Sequence, residues 1–398
     1  MNGSVKRLKV ACYTTNITMA VIAFLSPLLF VTLRAEYGIS YSLLGLLVLV
    51  NFCTQLGVDL LFSFFSHKFN IDKAVKGTPI LAAIGLVLYA LSPQIFGQNV
   101  YMGLLLATVV FSSAAGLGEV LISPVIAALP SENPDREMSR LHSSYAWGSV
   151  GVVLFGTVFL LIFGRGHWQW MTLLFALGPV AAALLYLGCE IPDLQQETQS
   201  GARELLHQSG VWLCVAGIFC GGAAEVTMAQ WSSGYLEQAL GIEKVWGDVF
   251  GVAFFSVMLG LGRTLYAKHG RSIEKILLWG AVGAAICYLV AVVSSRAIIG
   301  LAACALTGLC TSMLWPGSLV VATDRFPKGG VIIFAMMAAG GDLGASVGPQ
   351  LVGVVTDLVL ASGGSEQLGL KLGLAGGMLF PLVAVPIFAI LLKNRKEQ

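Results

Sequence analysis

Three carboxylates stand deep within apolar runs of this 398-residue sequence: Glu119, Glu225 and Asp342. A carboxylate in hydrocarbon costs at least about 2.5–3.5 kcal/mol, so it faces a partner or a wet cavity. Each acid lies on a helical face of small or hydroxyl residues. Ser112, Ala115, Gly116 and Ser123 flank Glu119; Gly221, Gly222, Ala229 and Ser232 flank Glu225; Ala338, Ala339, Ala345 and Ser346 flank Asp342. Such faces pack closely on another helix or line a cleft. The chemistry they suit is proton relay, or binding of a polar ligand. The plainer alternative is a structural hydrogen bond to the next helix, and Gly340-Gly341-Asp342-Leu343-Gly344 has the small residues of a packing face.

Amides and polar aromatics form a second layer. Asn16, Asn51 and Gln55 come early, and the last two are four apart, on one helical face. His142, Tyr145 and Trp147 cluster in one apolar run, Gln230 and Trp231 follow Glu225, and Trp315 precedes Pro316. An aromatic plane with amides suits a sugar, which has a C–H face and a hydroxyl edge; aromatic residues are also ordinary at membrane interfaces. Asp59 and Arg263 lie near cytoplasmic helix ends, where charges can gate a cleft or simply meet water.

The elements that position these residues follow from composition. The chain is 57% hydrophobic and 11% charged, under half the charge of a soluble domain, about 25%. Its surface must therefore face lipid. A bilayer-spanning helix needs about 20 apolar residues. Twelve spans satisfy this, near 10–33, 40–66, 74–93, 98–129, 139–164, 168–189, 210–238, 246–267, 274–294, 297–323, 329–358 and 369–392. The expected fold class is an all-α integral membrane protein.

With the N-terminus in the cytoplasm, 18 of the 23 Lys and Arg residues fall in inside segments and 5 outside. The positive-inside rule thus places both termini in the cytoplasm. The polar stretch 190–209 divides the chain into six-span halves, residues 1–190 and 210–398, joined by a linker at 191–209. The halves echo each other. Gly116 precedes Pro124 by eight residues, as Gly308 precedes Pro316; Gly151 and Gly156 match Gly348 and Gly353. Parallel six-helix repeats of this kind hold a ligand near the midplane.

Other classes are excluded by what is missing. No basic face points to nucleic acid. No phosphate-binding G-x-x-x-x-G-K-[ST] loop and no H-E-x-x-H occurs, so neither ATP use, a metal, a cofactor nor an enzyme is expected. The eight cysteines form no C-x-x-C pair and read as small hydrophobes. The basic start, Lys6, Arg7 and Lys9, runs into an apolar stretch too long for a cleavable signal. The expected location is a bacterial inner membrane.

The stretch Ala114 to Glu119 with Ser123-Pro124, and Leu141 to Gly156, resembles spans four and five of the fucose permease branch of the major facilitator superfamily. Gly221 to Glu225, with Trp231 and Tyr235, is similar to its span seven, and Gly341 to Gly344 with Gly348-Pro349 looks like the superfamily's span eleven. The resemblance implies two pseudo-symmetric bundles, alternating access and proton-coupled sugar uptake by a monomer. Members of that branch use an acid in span one and another in span four. Here span one has none, with Asn16 as its polar candidate, and Glu119 sits about two positions from the span-four place. The signature after span two is degenerate, with Gly57, Asp59, His67 and Lys68. An exporter of amphipathic compounds and a sensor that has lost transport are the alternative readings.

Overall fold

The computed structural model describes residues 3–65, 68–130, 134–192, 207–269, 272–326 and 330–396. These are helical nearly throughout, with no strand among them. In chain order the long helices are α1 (Gly3–Tyr37), α2 (Tyr41–Phe65), α3 (Ile71–Ala90), α4 (Val100–Ala128), α5 (Pro134–Phe163), α6 (Trp168–Tyr186) and α7 (Ser209–Leu240). A π-helical turn, Gly247–Ala253, leads into α8 (Phe254–His269); α9 (Ile273–Val293) follows. Then come α10 (Ala297–Arg325), broken at Ser312 and Met313, α11 (Gly330–Ala361) and α12 (Glu366–Lys396). Ten helical stretches are long and apolar enough to cross a membrane. The two remaining spans are α3, whose first turns carry Asp72, Lys73 and Lys76, and α5, whose apolar part is Trp147–Phe163.

The chain packs as two compact units. One holds residues 1–38 and 50–197, the other residues 39–49 and 198–398. The linker at 193–206 lies outside the described residues. In the first unit α1 packs on α5 and α6, and α3 on α4 and α6; in the second α7 packs on α11 and α12, and α9 on α10 and α12. These four pairings coincide once six is added to each number, so the sequence echo has a structural counterpart, although α11 also packs closely on α12 where α5 barely touches α6. The paired glycines show why. A Cβ on Gly116 would lie 2.9 Å from the Gln55 carbonyl oxygen of α2, and one on Gly308 would lie 2.3 Å from the Phe255 carbonyl oxygen of α8. Each repeat thus needs its glycine where two helix backbones meet.

Helix ends follow local chemistry. The Asn70 side chain accepts the Lys73 N–H at 2.9 Å and caps α3. Gly38, at φ 66°, and Gly241, at φ 67°, end α1 and α7 in the left-handed conformation that glycine adopts without strain.

One boundary differs from the sequence expectation. Residues 39–49, the start of α2 included, group with the second unit rather than with the first six spans. The reason is polar. Both oxygens of Asp357, on α11, accept backbone N–H groups, from Tyr41 at 3.1 Å and Ser42 at 2.7 Å. These are orphan donors of the first turn of α2, where a carboxylate also meets the positive end of the helix dipole. The Tyr41 ring lies 5.8 Å from that of Trp231, and its hydroxyl donates to Glu366.

Candidate functional site

In the first unit, α2 and α4 face each other through a polar ladder. Asn51 Oδ1 accepts from Gln55 Nε2 at 3.0 Å and from Ser112 Oγ at 2.5 Å. One turn on, Gln55 meets Gly116 backbone to backbone. One turn further, the same two faces carry Asp59 and Glu119. The steps 51, 55, 59 and 112, 116, 119 are helical repeats, so one face of each helix supplies all three rungs.

The last rung differs from the others. Asp59 is 7% exposed, and its Oδ1 has no hydrogen-bond partner. Glu119, by contrast, is exposed. Neither acid has a cationic partner among the described residues.

The second unit holds an acid with a counter-ion. Glu225 Oε1 accepts from Arg263 at 3.3 Å, and Arg263 Nε also donates to the Ser312 carbonyl at 3.1 Å, at the break in α10. The Arg263 side chain is 42% exposed and that of Glu225 13%. A gate candidate and a coupling candidate are thus one ion pair.

The other candidates separate. Asn16 is buried and donates from Nδ2 to the Leu141 carbonyl at 2.7 Å and to Ser144 Oγ at 3.1 Å, pinning α1 to α5. Trp231 is 1% exposed and donates from Nε1 to the Pro349 carbonyl at 2.9 Å, which leaves it no surface for a solute in this conformation. Gln230 beside it is also buried. The Trp315 indole lies over Gly222 and Gly341, where any Cβ would collide with it. Asp342 is 3% exposed. Tyr145 is half-buried, and Trp147 is 73% exposed. The His142 side chain lies outside the described residues.

The sequence between residues 11 and 349 matches the family model of the Major Facilitator Superfamily. This chain belongs to the major facilitator superfamily. No curated protein matches its sequence. Among solved structures, a bacterial homologue of the human lysosomal transporter Spinster is similar at TM-score 0.79 and 14% identity, over 98% of this chain and 96% of that one. The xylose transporter XylE from E. coli matches at TM-score 0.72 and 14% identity, over 94% and 95%. The facilitator FucP, in its outward conformation, matches at TM-score 0.60 and 16% identity, over 96% and 99%. At these identities the likeness is one of fold.

Sequence reasoning about this facilitator missed several groups. Ser112 was read as part of the Glu119 face, not as a partner of Asn51. Lys244 and Asp248, both buried, bond at 3.0 Å, with Ser233 donating to the same carboxylate oxygen. Their spacing of four was the available signal. Glu137, just ahead of the apolar part of α5, accepts from Tyr13 Oη at 2.8 Å and pairs with Lys9 at 3.3 Å and Arg140 at 2.9 Å. No spacing rule links it to Tyr13, 124 residues away.

The Tyr13 hydrogen bond, then the Lys9 and Arg140 charges, hold the Glu137 carboxyl below the usual carboxylate range despite desolvation. A depressed acid contributes stability above its unfolded titration range and loses it as pH falls through its folded one. Glu137→Gln is therefore expected to lower the thermal midpoint at neutral pH. The gap to wild type should close on acidification, as thermal unfolding in detergent would show. A gap that stays constant with pH would mean that the carboxylate's charge contributes nothing.

Proposed function

We propose that this facilitator is a secondary transporter that takes up a small polar solute, sugar-like first, by alternating access coupled to protons. One observation supports the reading most: Glu119, an exposed carboxylate within a span, has no cationic partner among the described residues, so it is available to exchange a proton. The amides of Asn51 and Gln55 are of the type that suits a hydroxyl-rich ligand, although this conformation buries both and bonds them to each other. On this reading Arg263, held by Glu225 and Ser312, gates the second unit, and Glu225 contributes to solute binding.

A thermal-shift screen of sugars, other polar metabolites and lipophilic cations at two pH values tests the reading, because a ligand of the folded state raises its apparent stability. Stabilisation by a sugar-like solute, followed by its uptake into proteoliposomes under an inward proton gradient, is the expected result. Stabilisation by amphipathic cations alone would favour export instead, and no response across the panel would favour a non-transporting role. Once a solute is found, Glu225→Ala is expected to weaken its affinity about tenfold or more, as for a lost charged hydrogen bond of about 1.5–3 kcal/mol. Unchanged affinity by calorimetry would confine Glu225 to its ion pair.

The reading also places a monomer in a bacterial inner membrane with both ends in the cytoplasm. A tag after Gln398 should then be reached by antibody only after cells are permeabilised. Labelling of intact cells would overturn that orientation.

A further inference from the structure

We infer that Cys287 and Cys310 form a dithiol site that an uncharged quinone, dissolved in the bilayer, oxidises to a disulfide joining α9 to α10. The inference is independent of the transport reading, since it concerns two side chains of the second unit and no solute. Five of the eight cysteines are buried, and Cys53 is exposed in the first unit; Cys287 and Cys310 are half-buried and lie on helices that pack together.

Close approach of those helices brings the two sulfurs together. Helix α9 ends at Val293 and α10 begins at Ala297, so three residues join them and they run antiparallel. Glycines on α9 let α10 come near. A Cβ on Gly280 would lie 2.6 Å from the Cys310 carbonyl oxygen, and one on Gly283 would lie 2.7 Å from Cys310 Sγ. Cys287 follows Gly283 by four residues, so it stands on the same face one turn on. Side chains lean toward the N-terminus of their own helix. In this antiparallel pair the lean carries Cys287 back toward Gly283 and Cys310 toward Cys287, and the two thiols share a hydrogen bond. Cys304, six residues before Cys310, faces about 120° away on α10 and is fully buried.

The surroundings select the oxidant. Ile286, Leu289 and Leu306, beside the pair, are exposed and apolar, and neither helix carries a charged residue within two turns of it. A charged oxidant would have to leave water to reach the thiols, at a high cost. A quinone dissolves in hydrocarbon and accepts two electrons. Two S–H bonds break and one S–S bond forms; the two electrons and two protons pass to the quinone, which becomes a hydroquinone. The bond closes two residues before the break in α10 at Ser312, whose carbonyl accepts from Arg263. Oxidation therefore clamps the first half of α10 to α9 beside that break.

The test is to treat the purified protein in proteoliposomes with tetramethyl-benzoquinone, alkylate it, digest it and read the peptides by mass spectrometry. This quinone has no open ring position for a thiol to add to, so lost alkylation reports oxidation. A peptide linked between Cys287 and Cys310 is expected, with both thiols restored to alkylation by dithiothreitol. Cys287→Ser should leave Cys310 alkylated, Cys310→Ser should leave Cys287 alkylated, and Cys304→Ala should leave the link unchanged. Two alkylated thiols in quinone-treated wild type, or a link from Cys287 to Cys304 instead, overturns the inference. Thermal unfolding reads the clamp: oxidised wild type should melt above reduced wild type, and the quinone should not move the midpoint of Cys287→Ser. A wild-type midpoint unmoved by a complete link would overturn the clamp.

Discussion

In proteoliposomes under an inward proton gradient, Glu119→Gln should carry its solute only to equilibrium, while wild type accumulates it. One pH unit is worth about 1.4 kcal/mol, so a one-proton symporter can concentrate solute about tenfold across it. The variant should reach no concentration ratio above one. Glutamine preserves the shape and the polar end of the side chain but cannot exchange a proton. Exchange of labelled for unlabelled solute needs no net proton movement and should persist in the variant. Accumulation at the wild-type level would remove Glu119 from coupling. Loss of exchange as well would give it a part in the solute site or in the conformational cycle.

The second large effect is on packing. Gly344→Val should unfold or strongly destabilise the second unit. A Cβ at this position would lie 2.0 Å from the Phe219 carbonyl oxygen, 2.8 Å from its carbon and 3.0 Å from the Ala223 nitrogen. All three are backbone atoms of α7, which cannot rotate aside as a side chain would. Overpacking a core costs about 1–3 kcal/mol where side chains can adjust, so a backbone collision should lie at or beyond the upper end. The thermal midpoint, or the fraction that elutes monodisperse, would report it. Gly260→Ala is the control. Nothing lies within 4 Å of its Cβ position, and alanine favours helix over glycine by about 1 kcal/mol. A variant at Gly344 as stable as that control would show that α7 and α11 pack less closely than the structure has them.

Glu119 and Gly344 also illustrate what was legible beforehand. Both stood out in the sequence for one reason: a bilayer penalises charge and rewards small residues between helices, so exceptions in an apolar run carry information. The twelve spans, the all-helical class and the two glycine echoes were legible on the same ground, because the spans are set by local hydropathy and the echoes by residue identity. The cysteines read as small hydrophobes, and five of the eight are buried in the structure. Spacing of four correctly put Asn51 and Gln55 on one face.

Pairings between helices were not legible. Glu225 and Arg263 are 38 residues apart; no periodicity within a helix states which neighbour it meets. Hence Asp59 and Arg263 read alike, as charges near helix ends, although Arg263 pairs with an acid and Asp59 has no ion-pair partner among the described residues. Trp231 read as a solute contact because an aromatic beside an acid looks like a site; tertiary packing encloses it against Tyr41 and the Pro349 carbonyl. The start of α2 joins the second unit because Asp357, over 300 residues later, caps it. The sequence by itself determined which segments enter the membrane and which residues are costly there, since both follow from transfer out of water, residue by residue. Only the tertiary structure decided which costly residues are neutralised and which are left with an unmet charge, because that depends on distances between side chains that the chain brings together only when it folds.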